Sequence, residues 1–302
     1  MTEPPRFDLQ AHSRHSDGAL EANEVVEWAA AAGVRLLALT DHDTVDGVPE
    51  AAARAGELGV GFSPAAELSA VHGAHEDLHV LGYELDVADS GLLAALHDFR
   101  ADRARRIDAM AERLRELGFE LDGAPLDARR EAGKPIGRPH LADAVLAHPA
   151  NAQRLHDEGI AGRNELFPPY LVPGARAYVA RSRPTVAQAI EAIHAAGGVA
   201  VWAHPFWDVD APAEALATLD EFAAAGLDGV ECFYATHTEE QTRLLHAAAL
   251  ERGLLTTGSA DFHGPRHDTF AAFRAFSLHG LTARLGPIGG GAGDQPARAP
   301  WV

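Results

Sequence analysis

The 302-residue sequence holds a single cysteine, Cys232, which excludes an intramolecular disulfide and a thiolate metal cluster. Lysine is equally scarce. Lys134 is the only one, so the basic residues are otherwise arginine, and they are outnumbered by acids to a formal net charge of −19. A surface of that sign repels a nucleic-acid backbone and argues against a long duplex footprint, although a small cationic pocket can still take a phosphate. Part of the acidity serves solubility alone. Long apolar runs are missing as well: the opening MTEPPRFDLQ has no apolar signal core, and no later stretch approaches the ~18 uncharged apolar residues that span a bilayer. These absences lead to the expectation of a soluble, cytoplasmic protein acting on a small or end-bound substrate, with no membrane partner.

Histidine is plentiful, at 17 residues. Several of these histidines lie at the ends of apolar runs, where loops leave a scaffold. Short β-type runs alternate with helical patterns over much of the chain, which predicts βα units around a parallel sheet. RFDL, RLLALT, GVGFSPAAELS, DLHVLGYELD, VAVWAH, DGVECF and LLTTGSADFH read as strands. ANEVVEWAAAAG, VDGVPEAAARAGELG, TVAQAIEAIHAAGG, AEALATLDEFAAAG and TEEQTRLLHAAALERG read as helices closed by glycine. The rhythm breaks between 92 and 180, where an arginine-rich helix and shorter helical pieces predict an insertion covering the mouth of an α/β domain made of 1–91 and 181–283. Residues 284–302 are rich in Gly and Pro and read as a loosely held tail without chemistry.

Residues able to coordinate metal gather at the strand ends: Gln10, His12 and Asp17; Asp41, His42 and Asp43; Glu67; His79; His204; Glu231; Asp261 and His263. In a barrel these ends converge on one face, and so many buried imidazoles and carboxylates need metal ions to be tolerated there. Gln10 with His12, and Asp261 with His263, are two apart and share a strand face. A His/Asp/Glu set without cysteine suits Mn²⁺, Fe or Zn²⁺. His15, His72 and His75 read as loop or hairpin residues outside the set.

DLQAHSRHSDG, LTDHDTVDG, AAELSA, LHVLGY, WAHP and GSADFHG, in this order, resemble the PHP (polymerase and histidinol phosphatase) family, and most closely its free-standing phosphoesterases. The resemblance implies a distorted (β/α)7 TIM-like barrel with a helical insertion, holding two to three divalent metals. The family positions fall on His12, Asp17, His42, Glu67, His79, His204, Asp261 and His263, with Glu67 as the bridging carboxylate. Gln10 stands where the family pattern usually has histidine, and it offers at most a neutral amide oxygen. The implied chemistry is attack of a metal-activated hydroxide on a phosphate monoester of a small nucleotide, a nucleoside 5′-monophosphate or 3′,5′-bisphosphate. Glu67 and Asp17 would serve catalysis. His237 is the candidate proton donor to the leaving oxygen, and Arg103, Arg106, Arg138 and His140 are candidate substrate contacts. A 5′–3′ exoribonuclease acting on short RNA is the alternative, and a non-catalytic metal-binding domain weakened by Gln10 is the reading from another class.

Overall fold

The computed structural model of the chain describes residues 5–131, 136–181 and 183–290. Seven strands form one sheet in sequence order: β1 (Phe7–Asp8), β2 (Leu36–Leu39), β3 (Gly61–His72), β4 (His75–Tyr83), β5 (Val199–Trp202), β6 (Gly229–Tyr234) and β7 (Leu255–Ser259). Beyond β1 and β7 the chain pairs again, with an Ala11–Phe262 bridge and a 2.8 Å bond from the His12 N–H to the Phe262 carbonyl. This pairing makes the sheet a nearly closed barrel. Helices α1 (Ala22–Ala31) and α2 (Val48–Leu58) connect the first strands, and α8 (Val186–Ala195), α9 (Pro205–Asp208), α10 (Pro212–Ala224) and α11 (Glu239–Glu251) flank the last ones.

One expectation is corrected: the sheet is not wholly parallel. β4 runs antiparallel to both β3 and β5, while the remaining pairs are parallel. The cause is the two-residue connection between β3 and β4, too short for the crossover a parallel neighbour requires. Reversal places His79 opposite Ser69, at the same end of the barrel as Glu67.

Strand alternation then builds the interior. Leu37 and Leu39 of β2 pack with Val25, Val26 and Ala29 of α1 and Ala51 and Ala55 of α2. Ala38, between them, joins Ala65, Leu81, Tyr83, Val201 and Ala203 in a second cluster. Glu67 and His79 sit two residues from Ala65 and Leu81, on the same strand faces. An apolar floor therefore carries a polar layer above it. Ile288, 3% exposed, belongs to that floor, and Arg284 bridges Thr256, so the first part of the Gly/Pro-rich segment is packed against the barrel. Residues 291–302 of the expected tail lie outside the described residues.

Helix ends follow local chemistry. Thr185 and Gln188 form a reciprocal capping box at α8, as do Thr238 and Gln241 at α11. Gly59 ends α2 at φ 66°, a left-handed turn that costs a side-chain-bearing residue.

The chain divides into two compact units, Met1–Leu96 with Pro184–Val302, and His97–Arg183. The second unit is helical, comprising most of α3 (Ser90–Glu116) with α4 (Gly123–Glu131), α5 (Arg138–Ala147), α6 (Ala152–Asp157) and α7 (Arg163–Tyr170). It has its own core, in which Met110, Leu114, Phe119, Leu141, Leu166 and Tyr170 are fully or almost fully buried. Among the described residues no helix is long and apolar enough to cross a membrane.

Candidate metal centre

Glu67 is the hub of the polar layer. Its Oε2 receives a 2.9 Å hydrogen bond from Gln10 Nε2 and lies 3.1 Å from His12 Nε2 and 3.5 Å from His42 Nδ1. Its Oε1 lies 2.9 Å from His79 Nδ1 and 3.0 Å from His204 Nε2. Asp261 Oδ1 approaches His12 Nε2 to 3.1 Å from the segment paired beside it. Asp17, whose side chain is 48% exposed, stands at the open side with its oxygens 3.5 Å from His12 Nδ1, 3.5 Å from His42 Nε2 and 3.6 Å from His263 Nε2. The structure thus gathers Gln10 and the eight positions that the family resemblance singled out. Ligand atoms of His12, Asp17, His42 and His263 lie within 4.8 Å of one another, and so do those of His42, Glu67 and His79.

Local backbone geometry serves this convergence. Asp43, His204 and Asp261 adopt positive φ, at 55°, 30° and 54°, which side-chain-bearing residues avoid unless surrounding structure compels it. In the DLQAHSRHSDG turn, a Cβ on Gly18 would lie 2.1 Å from the His12 carbonyl oxygen, so only glycine lets the turn close over His12.

Several groups that look alike in sequence divide into two kinds. Asp41 accepts bonds from the Ser13 N–H and the Ser13 and Ser16 hydroxyls, and Asp43 accepts from the Ser69 N–H. Glu231 accepts from the His204 N–H at 2.9 Å and the Ser259 hydroxyl at 2.6 Å. These carboxylates are anchors. By contrast His12 Nε2, His42 Nδ1, His204 Nδ1 and Asp261 Oδ1 are buried without a hydrogen-bond partner, although carboxylate oxygens lie close to each imidazole. A buried polar atom left unsatisfied costs about 1–3 kcal/mol, so a constellation of them fits a missing electrophile. Imidazole and carboxylate donors are the set a divalent transition metal takes.

The electrostatics point the same way. Burial works against a charged His12, yet Asp261 and Glu67 beside it hold its pKa well above the ordinary value. Burial likewise opposes charge on His204, and Glu67 reverses this, pushing it up to about 9. Burial lowers His42 to about 4, with the Glu67 and Asp17 carboxylates offsetting only part of the effect. Glu67 is penalised by burial but held well below its usual range by the surrounding histidines. Glu231 is pushed up to about 8 by burial.

Gln10 is 1% exposed and interposed between Glu67 and Ser259, whose hydroxyl is 3.3 Å from its amide oxygen. His237 is 8% exposed; its Nδ1 donates to the Cys232 carbonyl at 3.1 Å, and burial lowers its pKa to about 4. At neutral pH it is an uncharged ring whose Nε2 is buried without a hydrogen-bond partner, which is not the state of a proton donor. Arg103, Arg106, Arg138 and His140 all fall in the helical unit. Arg106 donates to the Val179 carbonyl and the Tyr178 hydroxyl and lies over the Tyr178 ring. His140 Nδ1 accepts from the Gly137 N–H at the start of α5.

Sequence reasoning missed Tyr234, 3% exposed, which donates to Asp261 Oδ2 at 2.7 Å and fixes that carboxylate. It also missed Asp8, a buried carboxylate raised to about 7 by burial, which ties down the N–H of Ala260, one residue before Asp261, and the N–H of Arg274. Tyr234 closes the VECFY strand three residues after Glu231, so following that strand to its end would have reached it.

Residues 8–117 match the model of the PHP domain. The chain is 35% identical over 268 residues to the 3′,5′-nucleoside bisphosphate phosphatase of Chromobacterium violaceum, covering 86% of this chain and 87% of that one. It is 32% identical over 263 residues to a 5′–3′ exoribonuclease of Haemophilus influenzae, covering 86% and 90% respectively. A solved structure from Bifidobacterium adolescentis, provisionally described as a metal-dependent phosphoesterase, superposes with a TM-score of 0.68 at 30% identity, covering 88% of this chain and 91% of that one.

Proposed function

The chain belongs to the PHP family and is a metal-dependent phosphoesterase, and we propose that it removes phosphate from a small nucleotide, a nucleoside 5′-monophosphate or 3′,5′-bisphosphate. The observation that carries this reading is the set of unsatisfied buried atoms, His12 Nε2, His42 Nδ1 and Asp261 Oδ1, around the Glu67 carboxylate. His12, Asp17, His42, Glu67, His79, His204, Asp261 and His263 would hold two to three divalent ions, with Mn²⁺ best suited and Fe or Zn²⁺ as alternatives. Bound there, such ions supply Lewis acidity toward phosphoryl oxygens and lower the pKa of a water toward neutrality.

The chain's own residues do the rest. Glu67 faces His12 and His42 with one oxygen and His79 and His204 with the other, so it spans both halves of the centre. Tyr234 and Glu231 fix the orientation of Asp261 and of the His204 backbone. Asp17, on the open side, is placed to orient an attacking water. His237, neutral and buried, is held by the Cys232 carbonyl and carries no proton to give at Nε2.

Gln10 would join the ligand set through its amide oxygen. Its NH₂ faces Glu67 in this structure. Half a turn of the amide presents the oxygen instead and leaves the NH₂ facing the Ser259 hydroxyl, which can accept it. Gln10→His is expected to tighten binding of one ion, read by elemental analysis and calorimetry; unchanged stoichiometry and affinity would remove Gln10 from the ligand set.

The function is tested with chelator-stripped, Mn²⁺-reloaded protein. Inorganic phosphate should appear from adenosine 3′,5′-bisphosphate or adenosine 5′-monophosphate. Shortening of a 5′-phosphorylated oligoribonucleotide without phosphate release from either nucleotide would move the assignment to an exoribonuclease, and reaction with neither would overturn both.

A further inference from the structure

Trp207 is the most exposed large apolar side chain among the described residues, at 54%. One exposed indole means little by itself. Its place gives it meaning. It follows the cluster residue His204 by three positions, in α9, and its backbone N–H donates to the His204 carbonyl at 2.8 Å. Behind it stand two buried rings: Phe270, 6% exposed, with centroids 5.6 Å apart, and Tyr234, with centroids 6.5 Å apart. Each of those rings touches the centre in turn. Tyr234 lies 5.2 Å from the His204 ring and bonds Asp261, and Phe270 lies 5.6 Å from the His263 ring. The indole is thus held against two buried rings, at interplanar angles of 77° and 55°, is half exposed, and lies one aromatic layer away from the cluster.

We propose that Trp207, backed by Phe270 and Tyr234, is the stacking platform for the nucleobase of the substrate. The inference rests on the phosphoesterase reading of the adjacent cluster and adds the part of the substrate that the cluster itself does not recognise. An ester cleaved at the centre must carry its leaving group outward. An exposed, uncharged indole this close to the centre suits a planar aromatic group and tolerates any base, because stacking reads the face and not the hydrogen-bonding edge.

Two measurements test this on the full chain. The first compares kcat/KM for adenosine 3′,5′-bisphosphate with that for ribose 5-phosphate, which lacks a base. Trp207→Ala should lower this ratio by about five- to a hundredfold, chiefly through KM for the nucleotide, with Trp207→Phe restoring most of it. A ratio within twofold of the wild type overturns the platform. The second does not depend on turnover: adenosine 3′,5′-bisphosphate should quench indole emission where ribose 5-phosphate does not, and Trp207→Phe should abolish the quenching while keeping an aromatic face. Equal quenching by both ligands, or quenching that persists in Trp207→Phe, overturns the proposal. Protein that quenches with the nucleotide but hydrolyses neither ester leaves the platform standing and overturns the phosphoesterase reading beneath it.

Discussion

The barrel unit and the helical unit both pair charged side chains at their surfaces, and they differ in what they bury. In the helical unit the charges are paired and largely solvated: Arg130 with Asp108 and Asp127, Arg163 with Asp143, Arg154 with Glu158. Arg106 and Arg154 reach inward and find partners there. Arg154 donates to the Leu117 carbonyl and the Tyr170 hydroxyl and lies 3.8 Å over the Phe119 ring. In the barrel unit Glu67, His12, His204 and Asp261 are almost wholly removed from water, and several of their atoms have no hydrogen-bond partner. Satisfied charge is structure. Buried charge that the protein itself leaves unsatisfied is a receptor, because only an added ligand repays the cost of desolvation.

The largest test of this contrast is Glu67→Gln. Removing the carboxylate that serves both halves of the cluster should cost at least about a thousandfold in kcat and strip the bound metal, measured by phosphate release and elemental analysis. Full metal retention would show that the cluster does not depend on its hub. Acidification comes next. In the ion-free protein the His204 proton is held up to about pH 9, and metal must displace it, so affinity falls as pH falls below that value. The His204 proton alone predicts metal binding at least about a hundredfold weaker at about pH 6 than at about pH 8 by calorimetry; affinity independent of pH would contradict the linkage. Tyr234→Phe deletes the bond that orients Asp261 and is expected to weaken metal binding by about tenfold, with the fold intact by circular dichroism. Arg154→Ala should have the least effect on the centre. A loss of about 1–3 kcal/mol in denaturant stability with unchanged metal content is expected, and a fall in metal content would erase the distinction between the two units.

Much of the site was legible because strand ends are legible. A run such as RLLALT ending in Asp41, His42 and Asp43 announces its own boundary, and the barrel geometry then gathers the ends of all such runs. What the strand-end rule could not do was rank residues within a cluster. Asp41 and His42 are neighbours in sequence, yet one is an anchor held by Ser13 and Ser16 and the other turns an unpartnered nitrogen toward Glu67. The difference lies in partners contributed from more than 20 residues away, which no local pattern carries. His237 shows the same limit. Its position after Glu231 suggested a proton donor, while its burial against Phe206 and Tyr234 lowers its pKa to about 4. Arg106 reads as a cation available to a phosphate until the fold brings Tyr178 and the Val179 carbonyl to it.

By itself the sequence determined the periodicity that makes seven strands and their helices, the donor types that make a metal centre without sulfur, and the formal net charge of −19. These follow from residue identity and spacing alone. The reversal of β4, the convergence of five side chains on the two oxygens of Glu67 and the orientation of the Gln10 amide were decided only by the tertiary structure. Each depends on which distant atoms are brought within about 3 Å, and hydrogen bonding, desolvation and metal ligation all act at that range.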